Sequence, residues 1–245
     1  MDDKKYGNIE YELADIITQK PHEFKVGRKL FRLYPVTLAK LFIQKRIVDA
    51  LGLNTSFIQN PYLEALRVAE TNKKACCEII ALHATPNTYK DLHNSKAITE
   101  RRNVFERMST EDVATMLVNV LTSDKTEHII GHFGIDKEQM RLSEVMRIKR
   151  KSGKNTLCFG GLTILGTFIG QLKEMGYTDD EILYEKGYAY LRLMLADKIT
   201  SVYLTDEELQ DVPTGSGGTM IDGNSPEAFE KLKTALAGRG LKFND

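Results

Sequence analysis

Within residues 21–52 an alternating apolar pattern gives way to apolar positions three and four apart, which predicts a hairpin running into a helix. With Gly27-Arg28 as a two-residue turn, glycine at the first central position suits a type II′ geometry that continues the natural strand twist. That register sets Phe24 opposite Phe31 and Glu23 opposite Arg32, an aromatic pair on one face and a charge pair on the other. The chain then turns at Pro35, with Thr37 as N-cap. Leu38, Leu41, Phe42, Val48 and Leu51 keep one apolar face until Gly52 supplies a left-handed exit. A short two-stranded hairpin is marginal alone, so this one needs its own helix, the body of the protein or another chain beneath it.

Elsewhere helix follows helix. Residues 1–8 read as a loose tail and 10–18 as a short helix. Asn60-Pro61 caps a helix running through Leu63, Leu66, Ala69, Ile79 and Leu82, until Thr85-Pro86-Asn87 stops it. Residues 89–107 predict a polar, basic helix. Ser109-Thr110-Glu111-Asp112 resembles a capping box with Asp in place of Glu, ahead of Val113, Met116, Leu117, Val120 and Leu121. A further helix over 136–150 rests on Met140, Val145, Met146 and Ile148.

The most apolar window, 157–172, predicts a buried helix with Leu162, Leu165, Ile169 and Leu172 as a stripe. Gly166 and Gly170 share a face where another backbone could approach, and Gly176 closes the helix. Thr178-Asp179-Asp180-Glu181 is a full capping box, and its helix reads to about Tyr203, roughly 37 Å at about 1.5 Å per residue. Residues 213–218 read as a flexible linker, and Ser225-Pro226-Glu227 caps a short helix that ends at Gly238. The expectation is a mainly α, multi-helix protein with an N-terminal β-hairpin. It divides into a tail and short helix (1–20), a hairpin with a helical domain (21–150), a helical unit on the same core (151–210), and a linker with a C-terminal helix (211–245).

Composition narrows this little. The chain has 245 residues, 42% of them apolar, enough for a real core and too many for wholesale disorder. Lys plus Arg equals Asp plus Glu at 34 each, so net charge draws in neither nucleic acid nor an acidic membrane, and any basic site must be local. Three cysteines, two of them adjacent, form neither a disulfide framework nor a CxxC pair and suit a reducing cytoplasm. The charged first ten residues predict no secretory signal, and the 157–172 window is too short and too rich in Gly and Thr for a membrane span.

Candidate chemistry is sparse. His128 and His132 share the spacing of zinc proteases, but Ile129 stands where the base Glu belongs, so ordinary histidines are the stronger reading. Cys76 or Cys77 could pair with His83 or His93, yet both cysteines fall in a helix interior with no oxyanion element, and a packed thiol is favoured. Residues 215–219 lack the lysine and preceding strand of a phosphate loop. Arg147, Lys149, Arg150, Lys151 and Lys154 form a basic run able to contact anions. Cations closing a helix also suit its dipole without a ligand, and no aromatic residues are interleaved to stack on bases.

Residues 16–21 (IITQKP), the hairpin 24–33 and 34–41 (YPVTLAKL) resemble the start of phage tail assembly chaperones, in which a hairpin with a basic turn leads through a Pro-hydrophobic-Thr-Leu step into a helix. Residues 165–169 (LGTFI), 175–181 (MGYTDDE) and 195–200 (LADKIT) are similar to versions in phages of Bacteroides-type hosts. The resemblance implies a non-enzymatic, mostly helical protein of the host cell cytoplasm. Such a protein covers the tape measure protein, helps recruit tail tube subunits, and works as a homo-oligomer without cofactor or metal. Phe24, Phe31, Leu33 and Phe42 are then the expected contacts between chains. A virion tail or adaptor protein is the alternative. A nucleic-acid-binding regulator using residues 147–154 is a weaker one.

Overall fold

The hairpin forms in the register that the alternation predicts. In the computed structural model, which describes residues 3–54, 59–151 and 162–212, β1 (His22–Val26) pairs antiparallel with β2 (Lys29–Leu33). Phe24 faces Phe31 and Glu23 faces Arg32. Gly27 has φ 59° while Arg28 stays out of the positive region, the sign pattern of a type II′ turn. Of the three supports a hairpin of this size can use, it uses the body of the protein. Phe24, Val26, Phe31 and Leu33 pack against the largest buried cluster.

The described chain is mainly α-helical, with this hairpin near its N-terminus. It divides into two compact units, Met1–Arg141 with Leu157–Thr200, and Leu142–Thr156 with Ser201–Asp245.

In the first unit, α1 (Asp3–Ile17) starts well before the short helix that was expected, taking in most of the tail. Ile9 explains this, because it is 4% exposed and clusters with Leu13, Ile16, Ile129 and Leu193, so tertiary burial holds a segment whose local sequence is polar. α2 (Leu38–Leu51) ends at Gly52 in the left-handed conformation, as predicted. Thr37 stands at its N-cap position, but the hydroxyl makes no capping bond. The backbone of Thr37 instead bridges Gly187 and accepts from Leu41 N at 3.1 Å.

The single helix expected over 61–82 is two helices, α3 (Pro61–Thr71) and α4 (Lys73–His83). Asn72 breaks it at φ −145°, ψ 56°, its N–H closing α3 on Val68 O while its side chain accepts from Ala75 N and caps α4. An asparagine side chain competing with the helical ladder is the cause. Residues 89–107 split likewise into α5 (Tyr89–Leu92) and α6 (Ser95–Phe105), capped by Thr88 and Asn94. Ser109 caps α7 (Thr110–Leu121) as predicted, accepting from Asp112 N at 3.0 Å. α3, α4, α6 and α7 enclose the main core, in which Val68, Ile79, Ile80, Phe105, Val113 and Leu117 are fully buried. α8 (Thr126–Phe133) ends at Gly134 with φ 70°, and α9 (Ile135–Lys151) follows.

Two expectations fail in the second half. A π-helical turn, Leu165–Ile169, leads into α10 (Gly170–Glu174), which Gly176 closes at φ 95°. Leu172 is buried with Leu38, Ile182 and Leu191, and Phe168 and Ile169 pack against that cluster. The other end of the stripe is not buried: Leu162 is 100% exposed and Leu165 68%. Residues 157–161 of that window lie outside the described residues. A Cβ at Gly170 would meet Leu165 O of the preceding turn at 3.3 Å, and among the described residues no other element approaches there.

The long strut over 178–203 is also interrupted. Its capping box forms, with Thr178 N donating to Glu181 Oε2 at 2.9 Å and Glu181 N to Thr178 Oγ1 at 3.2 Å. A π-helical turn at Glu181–Glu185 then gives way to extended backbone at Lys186 and Gly187, and α11 covers only Tyr188–Ala196. The break is a tertiary tie. Gly187 N donates to Gln19 Oε1 at 2.7 Å and Tyr188 N to Val36 O at 2.6 Å.

The second unit holds the end of α9 and a short α12 (Asp206–Gln210), where Thr205 and Glu208 form a capping pair. The expected linker at 213–218 and helix at 225–238 lie outside the described residues. Among the described residues no helix is long and apolar enough to cross a membrane.

Candidate functional site

The hairpin carries three of the four residues expected to make contact between chains. Phe24 and Phe31 stack at 5.7 Å between centroids, and both reach Phe105 at the end of α6, at 5.8 and 4.8 Å. With Leu33 they are half-buried against their own chain, so this face seats the hairpin. The opposite face carries Leu30, 52% exposed, and the Glu23–Arg32 pair at 2.8 Å. Phe42 is not brought together with them. It is 46% exposed on α2 and belongs to no buried cluster.

Sequence reasoning missed a second apolar surface. Leu162, Ile164 and Leu165 continue the stripe of Phe168, Ile169 and Leu172 beyond the point where the protein body supports it. Periodicity shows that such a stripe is apolar but not what covers it, which is why it reads as core in the sequence.

The basic run is partly engaged by acids. Arg147 pairs with Glu144, Nε to Oε2 at 3.0 Å, and holds that carboxyl below the usual carboxylate range. Lys149 meets Glu208 at 3.0 Å, with Glu208 nearly fully buried. Lys151 is exposed. Lys154 and the side chain of Arg150 lie outside the described residues.

The nucleophile reading of the cysteines has no support in the geometry. Cys76 and Cys77 are fully buried, and burial pushes their thiols up to about 11 and about 12. His83 Nε2 lies 2.5 Å from Gln44 Oε1, not from a thiol. Among the described residues no three His, Cys, Asp or Glu side chains gather as metal ligands.

One buried polar node had no signal in the sequence. Lys40, fully buried, donates to Thr85 O at 2.8 Å and His83 O at 3.3 Å, with its Nζ 5.5 Å from the Tyr34 ring centroid. The ammonium thus sits on the carbonyls that end α4, where a helix dipole favours a cation. Burial, with Arg101 adding repulsion, pushes Lys40 down to about 7. Burial and then Lys40 push His83 down to about 3. With no accessible surface at Lys40, the node is structural: it ties α2 to the end of α4.

Among the described residues, apolar surface on the 162–165 segment and on α2, and the outer face and edges of the hairpin, are open to another molecule. In comparisons with known proteins, the chain matches no family model, no curated protein and no solved structure.

Proposed function

We propose that this protein is a non-enzymatic tail assembly chaperone of a phage, acting in the host cell cytoplasm, which covers the tape measure protein and helps recruit tail tube subunits. The observation that carries the reading is the half-seated stripe. Phe168, Ile169 and Leu172 are packed, while Leu162, Ile164 and Leu165 stand exposed on the same continuous segment. A tape measure is a long amphipathic helix whose apolar face needs cover before assembly, and a matching apolar row on a helical protein is the surface that such a helix takes. The resemblance of residues 16–41 and 165–200 to tail assembly chaperones supplies the biological context.

Coexpression with the tape measure protein of the same phage tests this. The expected result is that the wild-type chain keeps the tape measure in the soluble fraction and copurifies with it. Leu162→Glu with Leu165→Glu should abolish both effects while helical content is unchanged. A tape measure that stays insoluble beside the wild-type chain overturns the proposal, as does a double variant that protects as well as wild type.

A further inference from the structure

A two-residue hairpin fixes which backbone groups face outward. Val26 and Lys29 flank the turn and exchange both hydrogen bonds, as do Phe24 with Phe31 and His22 with Leu33. The pairs between them, Glu23 with Arg32 and Lys25 with Leu30, turn their N–H and C=O groups away from the partner strand. The sheet has only these two strands, and among the described residues no backbone hydrogen bond reaches the outward groups of Glu23 and Lys25.

Charge separates the two edges. On β2 the outward residues are Leu30 and Arg32, with Lys29 beside them and no acid. Antiparallel pairing of β2 with its own copy about Phe31 sets each Arg32 against Leu30. On β1 the outward residues are Glu23 and Lys25, and pairing about Phe24 sets each Glu23 against Lys25 of the other copy, in a position to exchange backbone hydrogen bonds. A lysine on a free edge ordinarily discourages strand addition, but in this register it meets an acid.

We propose that two copies of the chain join edge to edge through β1, antiparallel about Phe24, with Glu23 of each against Lys25 of the other, making one four-stranded sheet. Phe24 then meets its symmetry mate at a non-hydrogen-bonded position, where side chains come closest, and extends the Phe24–Phe31 stack across the twofold axis. Phe24 is still partly exposed in the single chain, so it has surface left to give. Twofold pairing uses the same edge on both copies and closes, so it yields a dimer rather than a fibre. The pairing concerns two copies alone and stands whether or not a tape measure is the partner.

Sedimentation equilibrium of the full chain tests it by charge reversal. Lys25→Glu leaves the Glu23–Arg32 pair intact and puts acid against acid twice, and Glu23→Lys puts base against base. Each should weaken the dimer by about tenfold or more. An equimolar mixture of the two variants should recover wild-type affinity as a heterodimer, because one edge then carries two acids and the other two bases. Leu30→Glu, on the other edge, should leave association unchanged. The proposal is overturned by a wild-type chain that stays monomeric at tens of micromolar, by single reversals that associate as tightly as wild type, by a mixture no tighter than its components, or by a Leu30→Glu chain that dissociates instead.

Discussion

Lys40 shows how a single residue can tie a fold together and make it sensitive to pH. Its ammonium bridges the carbonyls of His83 and Thr85 from inside the protein, beside the Tyr34 ring, His83 and Arg101 and, among the described residues, with no carboxylate paired to it. Its value falls from 10.5 unfolded to about 7 folded, so between those limits the unfolded chain binds more protons than the folded one. Stability therefore rises as pH rises from about 7 toward 10.5, by a total on the order of a few kcal/mol. His83, lowered from 6.5 to about 3, has the same sign in its own window, and stability is lost as pH falls from 6.5 toward 3. Lys40→Met keeps the length and removes the charge. Urea midpoints measured from pH 7 to 8.5, below the range in which the Cys76 and Cys77 thiols of the unfolded chain ionise and take stability away, should climb in the wild type and stay nearly flat in the variant. Equal slopes would show that Lys40 is not the group responsible.

At the scale of elements, the aromatic contact with Phe105 is the centre of the hairpin's seat on the core, and stability should respond to its loss in a graded way. Phe105 is fully buried between Phe24 and Phe31, so Phe105→Ala should cost about 3–5 kcal/mol. Phe31→Ala, half-buried, should cost less, about 2 kcal/mol. Phe42→Ala, exposed on α2, should stay within about 0.5 kcal/mol. Chemical denaturation of the three variants checks the order, and a Phe42→Ala as costly as Phe105→Ala would contradict it. The same contrast marks what the sequence made legible. Pairing of Phe24 with Phe31, the Gly27 turn, the Ser109 and Thr178 caps and the Gly52 and Gly176 exits all follow from residues within one turn or one strand pair of each other. The breaks at Asn72 and Gly187 escaped because each competes with a good helical pattern, and at Gly187 the competitors, Gln19 and Val36, are more than 150 residues away in the chain. Lys40 escaped for a related reason: a lysine on an amphipathic helix is normally solvated, and only the end of α4 makes its burial tolerable.

For the molecule as a whole, neutrality and exposed apolar surface act together. With 34 basic and 34 acidic residues the chain has no net charge near pH 7, so no long-range repulsion opposes contact between molecules. Leu162, Ile164 and Leu165 meanwhile offer an apolar row that the protein body leaves uncovered, the kind of surface that drives association until a partner takes it. Solubility at low salt should therefore pass through a minimum near pH 7, and Leu162→Ser with Leu165→Ser should raise that minimum. Because both side chains are solvent-facing, the double variant should melt within about 2 °C of the wild type. The protein left in solution in low-salt buffers from pH 5 to 9, with thermal unfolding in parallel, separates the possible causes. A fall of many degrees would mean that the stripe is packed in solution and that no free apolar row exists for a partner. An unchanged solubility minimum with an unchanged melt would mean that the row is free yet does not drive association. Only a rise in solubility without loss of stability fits a surface kept apolar for another polypeptide rather than for this one's own core.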